Sequence, residues 1–204
     1  MPLRRVFLFV VLLAATGRLQ AAAVEDLSKR LQPLASLSSD FSQVLYGSDG
    51  QPLETSTGSM QLLRPGFLRW HIVQPDEQVL IASGDTLWHH DVELETATRR
   101  SVDTRSPGSP LAILGGDTAQ LASQYEVETA GPGSWRLVPL FDDAEFRAVV
   151  LVFAEDLPAS LRVTDSLGRE TVITFLNIRR APELTPSDFS FAPPPGIDIY
   201  DNDR

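Results

Sequence analysis

The sequence predicts a mainly β domain: about ten antiparallel strands, one N-terminal helix and one short helical insert. Three observations lead there. From Asp40 onward, apolar residues recur with a period of two over most of the chain. Turn chemistry separates the apolar runs at short intervals, as at Arg64-Pro65-Gly66, Gln74-Pro75-Asp76 and Ser83-Gly84-Asp85. Helical spacing is confined to Val24–Leu37 and to the segment around Leu111–Leu121. A single sheet of about ten strands curls into a barrel or half-barrel.

The first residues read as a secretory leader. Arg4 and Arg5 form a positive start, Val6–Thr16 is mostly apolar, and Gly17–Ala23 ends in small residues. Leu19-Gln20-Ala21 and Ala21-Ala22-Ala23 are cleavage signals. They place the cut near residues 21–23 of a leader over 1–23 and leave one domain over 24–204. The apolar run is too short for a bilayer, which needs about 20 residues. Val24, Leu27, Leu31 and Leu34 then fall at helical spacing, and Pro33 ends or kinks that helix.

Phe41, Gln43 and Leu45 oppose Ser42, Val44 and Tyr46 on a strand. Gly47-Ser48-Asp49-Gly50 turns it into a hairpin with a strand around Thr57–Leu63. Three strands follow within Arg64–Asp91, which holds Trp70 and Trp88, and another lies at Thr96–Val102. Ser106-Pro107-Gly108-Ser109-Pro110 is loop chemistry. It carries the short apolar helix Leu111-Ala112-Ile113-Leu114, ended by Gly115-Gly116. Asp117 caps a second helical piece through Leu121. Strands resume at Gln124–Thr129, Ser134–Leu140, Phe146–Phe153, Ser160–Asp165 and Arg169–Ile178. The tail Pro182–Pro195 is proline-rich and contains Phe189 and Phe191, and no repeat or linker marks a second domain.

Acids outnumber bases, 27 to 17, and the only lysine is Lys29. Loss of the leader removes Arg4, Arg5 and Arg18 and no acid, which takes the net charge from −10 to −13. A surface that acidic argues against nucleic acid or an anionic bilayer as the resting partner. The absence of cysteine rules out a disulfide framework, thiol metal sites and N-terminal lipidation. The fold must therefore rest on its core.

Catalytic and metal chemistry find little support. His71, His89 and His90 are the only histidines. Adjacent strand residues point to opposite faces, so His89 and His90 cannot easily share one metal. Asp142, Asp143 and Glu145 read as a solvated loop after a strand-ending Pro139-Leu140. No nucleophile elbow or zinc-protease helix occurs. The expectation is a protein that is not an enzyme and takes no cofactor.

The apolar faces carry more. Leu68, Trp70 and Ile72 share one strand face, with Arg69 and His71 on the other. Val79–Ala82, with Leu80 inside it, is apolar on both faces, and Val149, Leu151 and Phe153 align on a later strand. Read from the residues alone, these fit an ordinary sandwich or barrel core first. A wall that holds an apolar ligand is the alternative.

The run Arg64-Pro65-Gly66-Phe67-Leu68-Arg69-Trp70-His71, followed by Gln74-Pro75-Asp76-Glu77-Gln78 and Ser83-Gly84-Asp85-Thr86-Leu87-Trp88, resembles the LolA family. Phe41-Ser42-Gln43, Ser109-Pro110-Leu111, Leu114-Gly115-Gly116-Asp117, Asp165-Ser166-Leu167-Gly168-Arg169 and Phe189-Ser190-Phe191 with Pro195-Gly196-Ile197-Asp198 extend the likeness along almost the whole chain. The resemblance implies an open, half-closed antiparallel β-barrel with a short helical lid. It implies a periplasmic chaperone that shields lipoprotein acyl chains between the inner membrane and an outer-membrane receptor. The implied donor is the ABC transporter LolCDE, the implied acceptor is LolB, and the carrier is a monomer. The implied cavity lining is Leu68, Trp70, Ile72, Leu80, Trp88, Leu111, Ile113 and Leu114. Arg64 is implied as a latch on lid carbonyls within Ser109–Gly116. At ~0.8 kcal/mol per methylene, three chains of about sixteen carbons represent on the order of 35–40 kcal/mol of burial, so cargo needs a substitute apolar surface.

Leu68, His89 and His90 depart from the family's more aromatic or apolar pattern, which bears on the lining of the mouth and not on the fold. Two other readings compete: a paralogous carrier of another lipid or lipid-linked product, and a lipid-sensing regulatory domain. The second would be expected to carry an added interaction domain, for which about 180 residues leave little room.

Overall fold

The computed structural model describes residues 20–101, 110–141 and 144–202. Residues 1–19, which make up most of the expected leader, and residues 102–109, 142–143 and 203–204 lie outside them. Helix α1 covers residues 20–31, so residues 20–23 at the expected cleavage region are helical. The strands are β1 (Ser36–Tyr46), β2 (Pro52–Leu63), β3 (Phe67–Gln74), β4 (Gln78–Ser83), β5 (Thr86–Asp91) and β6 (Thr96–Ser101). Helices α2 (Ala112–Gly115) and α3 (Leu121–Gln124) follow, joined by a 3-10 turn at Thr118–Gln120. The second group is β7 (Tyr125–Gly131), β8 (Ser134–Pro139), β9 (Phe146–Ala154), β10 (Leu157–Asp165) and β11 (Glu170–Arg180). A 3-10 turn at Pro186–Phe189 leads to β12 (Asp198–Asp201).

All twelve strands form one sheet in the order β12-β6-β5-β4-β3-β2-β1-β11-β10-β9-β8-β7. Each pair is antiparallel except β12 with β6. The sheet is open, since β12 and β7 end it and do not pair with each other. The first and last hairpin groups meet at its centre, where β1 pairs with β11 from Leu37↔Arg180 to Tyr46↔Glu170.

One face of the sheet and the helices share the main core. Leu27, Leu31 and Leu34 at the start of the described chain join Phe41, Met60, Leu62 and Trp70 from the first strands. Val127, Trp135, Leu137, Val149, Leu151 and Leu161 complete it from the other half of the sheet. The helical spacing of Leu27 and Leu31 gives α1 one apolar stripe, and that stripe is fully buried. Arg30 fixes the end of α1 by donating to the Glu155 carbonyl at 2.7 Å.

The opposite face of β3–β6 has a smaller core of its own beneath the C-terminal tail. Ile81 and Ala97 are buried there. Phe67 packs against Phe189 with centroids 5.7 Å apart, and Trp88 against Phe191 at 5.2 Å. Arg69 donates to the carbonyls of Asp188 and Ser190, which straps the tail to the sheet.

Differences from the sequence expectation have local causes. The helix expected to Leu37 ends at residue 31, because Gln32 and Pro33 form a turn. Strand β1 then starts at Ser36, earlier than Asp40, in a serine-rich stretch with little apolar signal. After the proline-rich tail comes a strand, β12, that no buried apolar alternation marks; all four of its residues are exposed.

Gly58 is required by close approach. A Cβ there would run into the His71 carbonyl oxygen and come within 2.8 Å of Phe41 Cζ. The β2–β3 register shifts at this point, between Thr57 and Gly58. Gly58→Ala is expected to lower stability by about 1–3 kcal/mol; an unchanged denaturant midpoint would contradict this contact.

Tyr125 is 1% exposed. Burial pushes its hydroxyl up from 10.0 to about 12. Between those values the unfolded chain has lost the proton and the folded one keeps it. Stability is therefore full below pH 10 and falls as pH rises from about 10 to 12. Absorbance titration is expected to show a tyrosine ionising near pH 12 that Tyr125→Phe removes. Complete tyrosine ionisation near pH 10 would contradict the burial.

Candidate functional site

Strand register decides which side chains share the inner wall. Leu62, Leu68, Ala82 and Leu87 form one row across β2–β5, and Met60, Trp70, Leu80 and His89 form the next. Gly58, Ile72, Gln78 and Asp91 form a third. Leu68, Trp70, Ile72 and Leu80 are thus brought together on the face that α1 covers. Trp70 is 3% exposed and stacks on Phe41 with centroids 3.7 Å apart and planes 18° from parallel. Leu68, Ile72 and Leu80 are half-buried and pack against the main core.

Trp88 is the exception, and the expected lining is corrected there. Trp88 pairs with Ile81, whereas Trp70 pairs with Leu80. A one-residue offset reverses the face, so Trp88 lies on the opposite side of the sheet, under Phe191. The same alternation separates the histidines. His89 shares the inner row and its Nε2 is 3.2 Å from Gln78 Oε1. His90 faces outward, 5.5 Å from the Phe191 ring. Among the described residues, no group of three or more His, Cys, Asp or Glu could hold a metal ion. Glu145 stands 3.9 Å from Arg100 in an exposed ion pair.

The cover over this wall includes the helical insert. Leu111, Ile113 and Leu114 are all 9% exposed or less and belong to the main core. A Cβ on Gly115 would sit 3.3 Å from Leu62 Cδ1, so the insert lies tightly on β2. The turn after β2 holds it. Arg64 Nη2 donates to the Ile113 carbonyl at 3.3 Å, and the Gly66 N–H donates to the Gly115 carbonyl at 3.0 Å. Gly66 has φ of 81°, a region open to glycine at little cost, which lets its N–H face the insert. Gly84 donates in turn to the Gly66 carbonyl at 3.2 Å, which braces the anchor against the β4–β5 turn. Of the expected acceptor segment, Ser109 lies outside the described residues.

Burial pushes Arg64 down to about 10, and Asp117 opposes that shift with its negative charge. Arg64 is still a cation at neutral pH. Asp117 itself accepts from the Ala119 N–H at 2.9 Å and so caps the turn after α2.

Among the described residues, three buried side-chain polar atoms have no hydrogen-bond partner: Arg64 Nε, the Tyr125 hydroxyl oxygen and Trp135 Nε1. Each orphan of this kind costs about 1–3 kcal/mol. The sequence reading did not single out Phe41 as Trp70's stacking partner, nor Tyr125 and Trp135. The alternation of Trp135 and Leu137 on β8 was the available signal for the last. Two surface grooves lie outside the enclosed interior. One of about 350 Å³ runs between α1 and α3, lined by Gln20, Ala21, Val24, Glu25 and Ala122. The other, of about 440 Å³, is polar and crosses β11, β1, β2 and β3 past Asp40, Ser59, Gln61, Arg69 and Arg179.

The family model described as "Outer membrane lipoprotein carrier protein LolA" matches residues 32–192. An outer-membrane lipoprotein carrier protein from Azotobacter vinelandii is 31% identical over 204 residues, covering 98% of this chain and 99% of the relative. One from Methylococcus capsulatus is 33% identical and covers 84% of each chain. One from Pseudomonas aeruginosa is 31% identical, covering 94% of this chain and 96% of the relative. The crystal structure of a LolA superfamily protein from Nitrosomonas europaea has the same fold, with a TM-score of 0.53 at 12% identity over 83% of this chain and 98% of that one. Sequence and fold agree along nearly the full length: the chain belongs to the LolA family of outer-membrane lipoprotein carrier proteins.

Proposed function

We propose that this protein carries outer-membrane lipoproteins through the periplasm by exchanging its own helical cover for the acyl chains of the cargo. The family is one of periplasmic carriers and not of enzymes. The observation that carries the exchange is the way the apolar wall is closed. The sheet stays open between β12 and β7, and helices instead of further strand pairs shut the interior. Cover and wall are separate elements, so they can part without breaking a strand ladder. The wall residues are Leu68, Trp70, Ile72 and Leu80; Leu111, Ile113 and Leu114 leave with the cover. The expected leader, ending near residues 21–23, is the route of export. Donor and acceptor are then LolCDE in the inner membrane and LolB in the outer membrane.

Arg64 acts as the latch of the empty state in this reading. A hydrogen bond from a charged donor contributes about 1.5–3 kcal/mol. Its loss raises the open population on the order of ten- to a hundredfold. The open form is the one that binds chains, so weakening the latch helps loading and hinders release.

Incubation of the protein with spheroplasts that hold a labelled outer-membrane lipoprotein is expected to bring the lipoprotein into the soluble fraction. Its retention in the membrane, while a known carrier releases it, would refute the reading. Arg64→Leu is expected to load cargo at least as well as the wild type and to transfer it poorly to LolB. Normal transfer by that variant would remove the latch role.

A further inference from the structure

The enclosed interior is apolar except at a few atoms. Tyr125 at the start of β7 and Trp135 on β8 are each 1% exposed and belong to the main core. The Tyr125 hydroxyl and Trp135 Nε1 have no hydrogen-bond partner. Buried polar groups are paired almost throughout folded proteins, so two orphan donors on one wall need a reason. Both rings are pinned by packing. Tyr125 lies edge-on to Phe141 at 6.4 Å and Trp135 edge-on to Phe153 at 5.6 Å.

The two residues share the inner face. Trp135 pairs with Leu151, and Tyr125 alternates with Val127, which pairs with Leu137. An indole N–H can only donate; a phenol hydroxyl donates and accepts. What both lack is an acceptor. Hydrocarbon chains provide none. The carbonyl oxygens that join acyl chains to their headgroup do.

We infer that Tyr125 and Trp135 form a carbonyl-binding subsite for the ester or amide oxygens at the head of acyl chains, filled when cargo displaces the cover. This rests on the carrier reading above and specifies which part of the cargo the interior recognises. Trp135 sits opposite Thr129, four positions along β7 from Tyr125. That is about 13 Å of strand between the two backbone positions. Carbonyls occur at one end of a chain, so the subsite fixes how deep the chains enter, which an apolar wall alone cannot do.

The test uses two lipids of equal chain length, a dihexadecanoyl glycerol and its dihexadecyl ether counterpart, which lacks the carbonyls. Each competes with a fluorescent fatty-acyl probe for the full protein. The ester lipid is expected to compete better, by about two- to tenfold per donor. Tyr125→Phe and Trp135→Phe each lower that ratio. The indole proton resonance missing from Trp135→Phe moves downfield with the ester lipid and stays in place with the ether. Tyr125→Phe is expected to melt no lower than wild type, because it removes an unpaired hydroxyl. A fall in its melting temperature with the ester preference intact would assign the hydroxyl to packing and overturn the subsite. Equal competition by the two lipids would overturn the subsite and leave the carrier reading standing. Displacement of the probe by neither lipid would overturn both.

Discussion

The structure depends on one constraint: a twelve-stranded sheet that does not close has an apolar face with nothing of its own to cover it. A closed barrel would satisfy both edges and bury its interior permanently. Here the interior is shut by α1 and the insert, whose leucines and isoleucine are all buried against β2, β3 and the β7–β10 half. The edges are protected by other means. Strand β7 carries exposed Glu126 and Glu128, and β12 is short and ends in Asp198 and Asp201.

That constraint gives the Arg64-Pro65-Gly66 turn its importance. The turn is joined to the insert by one side-chain and one backbone hydrogen bond, to Ile113 and Gly115. Strands β1 and β2, by contrast, pair from Ser36↔Leu63 to Tyr46↔Pro52 with one register shift, between Leu45 and Tyr46. At this turn cover meets wall through individual hydrogen bonds, where strand meets strand through a ladder. The half-buried, partly desolvated Arg64 fits such a joint. Its guanidinium contacts one carbonyl, and its Nε contacts none. A fully satisfied arginine would hold harder.

Much of this was legible in the sequence, and the reasons for success and failure differ by residue. Turn residues punctuated the strands, so β3, β4 and β5 fell close to where Pro65-Gly66, Pro75-Asp76 and Gly84-Asp85 put them. Leu68, Trp70 and Ile72 sharing a face follows from alternation within one strand. Trp88 required the pairing of β4 with β5, a relation between strands that periodicity within either one does not contain. Strand β12 was hidden for a related reason. Its four exposed residues have no apolar pattern, and only parallel pairing with β6 makes it a strand. The Arg64 contact to Ile113 came from family likeness; spacing alone could not place residues 49 apart together.

The enclosed interior also differs from a core selected for stability alone. Phe41 stacks on Trp70, and Met60 and Leu62 are buried in one cluster with Leu111, Ile113 and Leu114. Yet among the described residues three buried side-chain polar atoms remain unpaired in it or at its rim. Replacing Tyr125 by phenylalanine would remove one such orphan with almost no change in volume. The presence of these orphans is intelligible if the closed arrangement is not the only one the interior must serve. Helices that fit the wall perfectly would exclude cargo. A wall that fits cargo must leave its own polar groups waiting while the helices cover it. The modest joint at Arg64 and the unpaired donors on β7 and β8 are then two sides of one requirement: the empty state must be stable enough to exist and poor enough to give way.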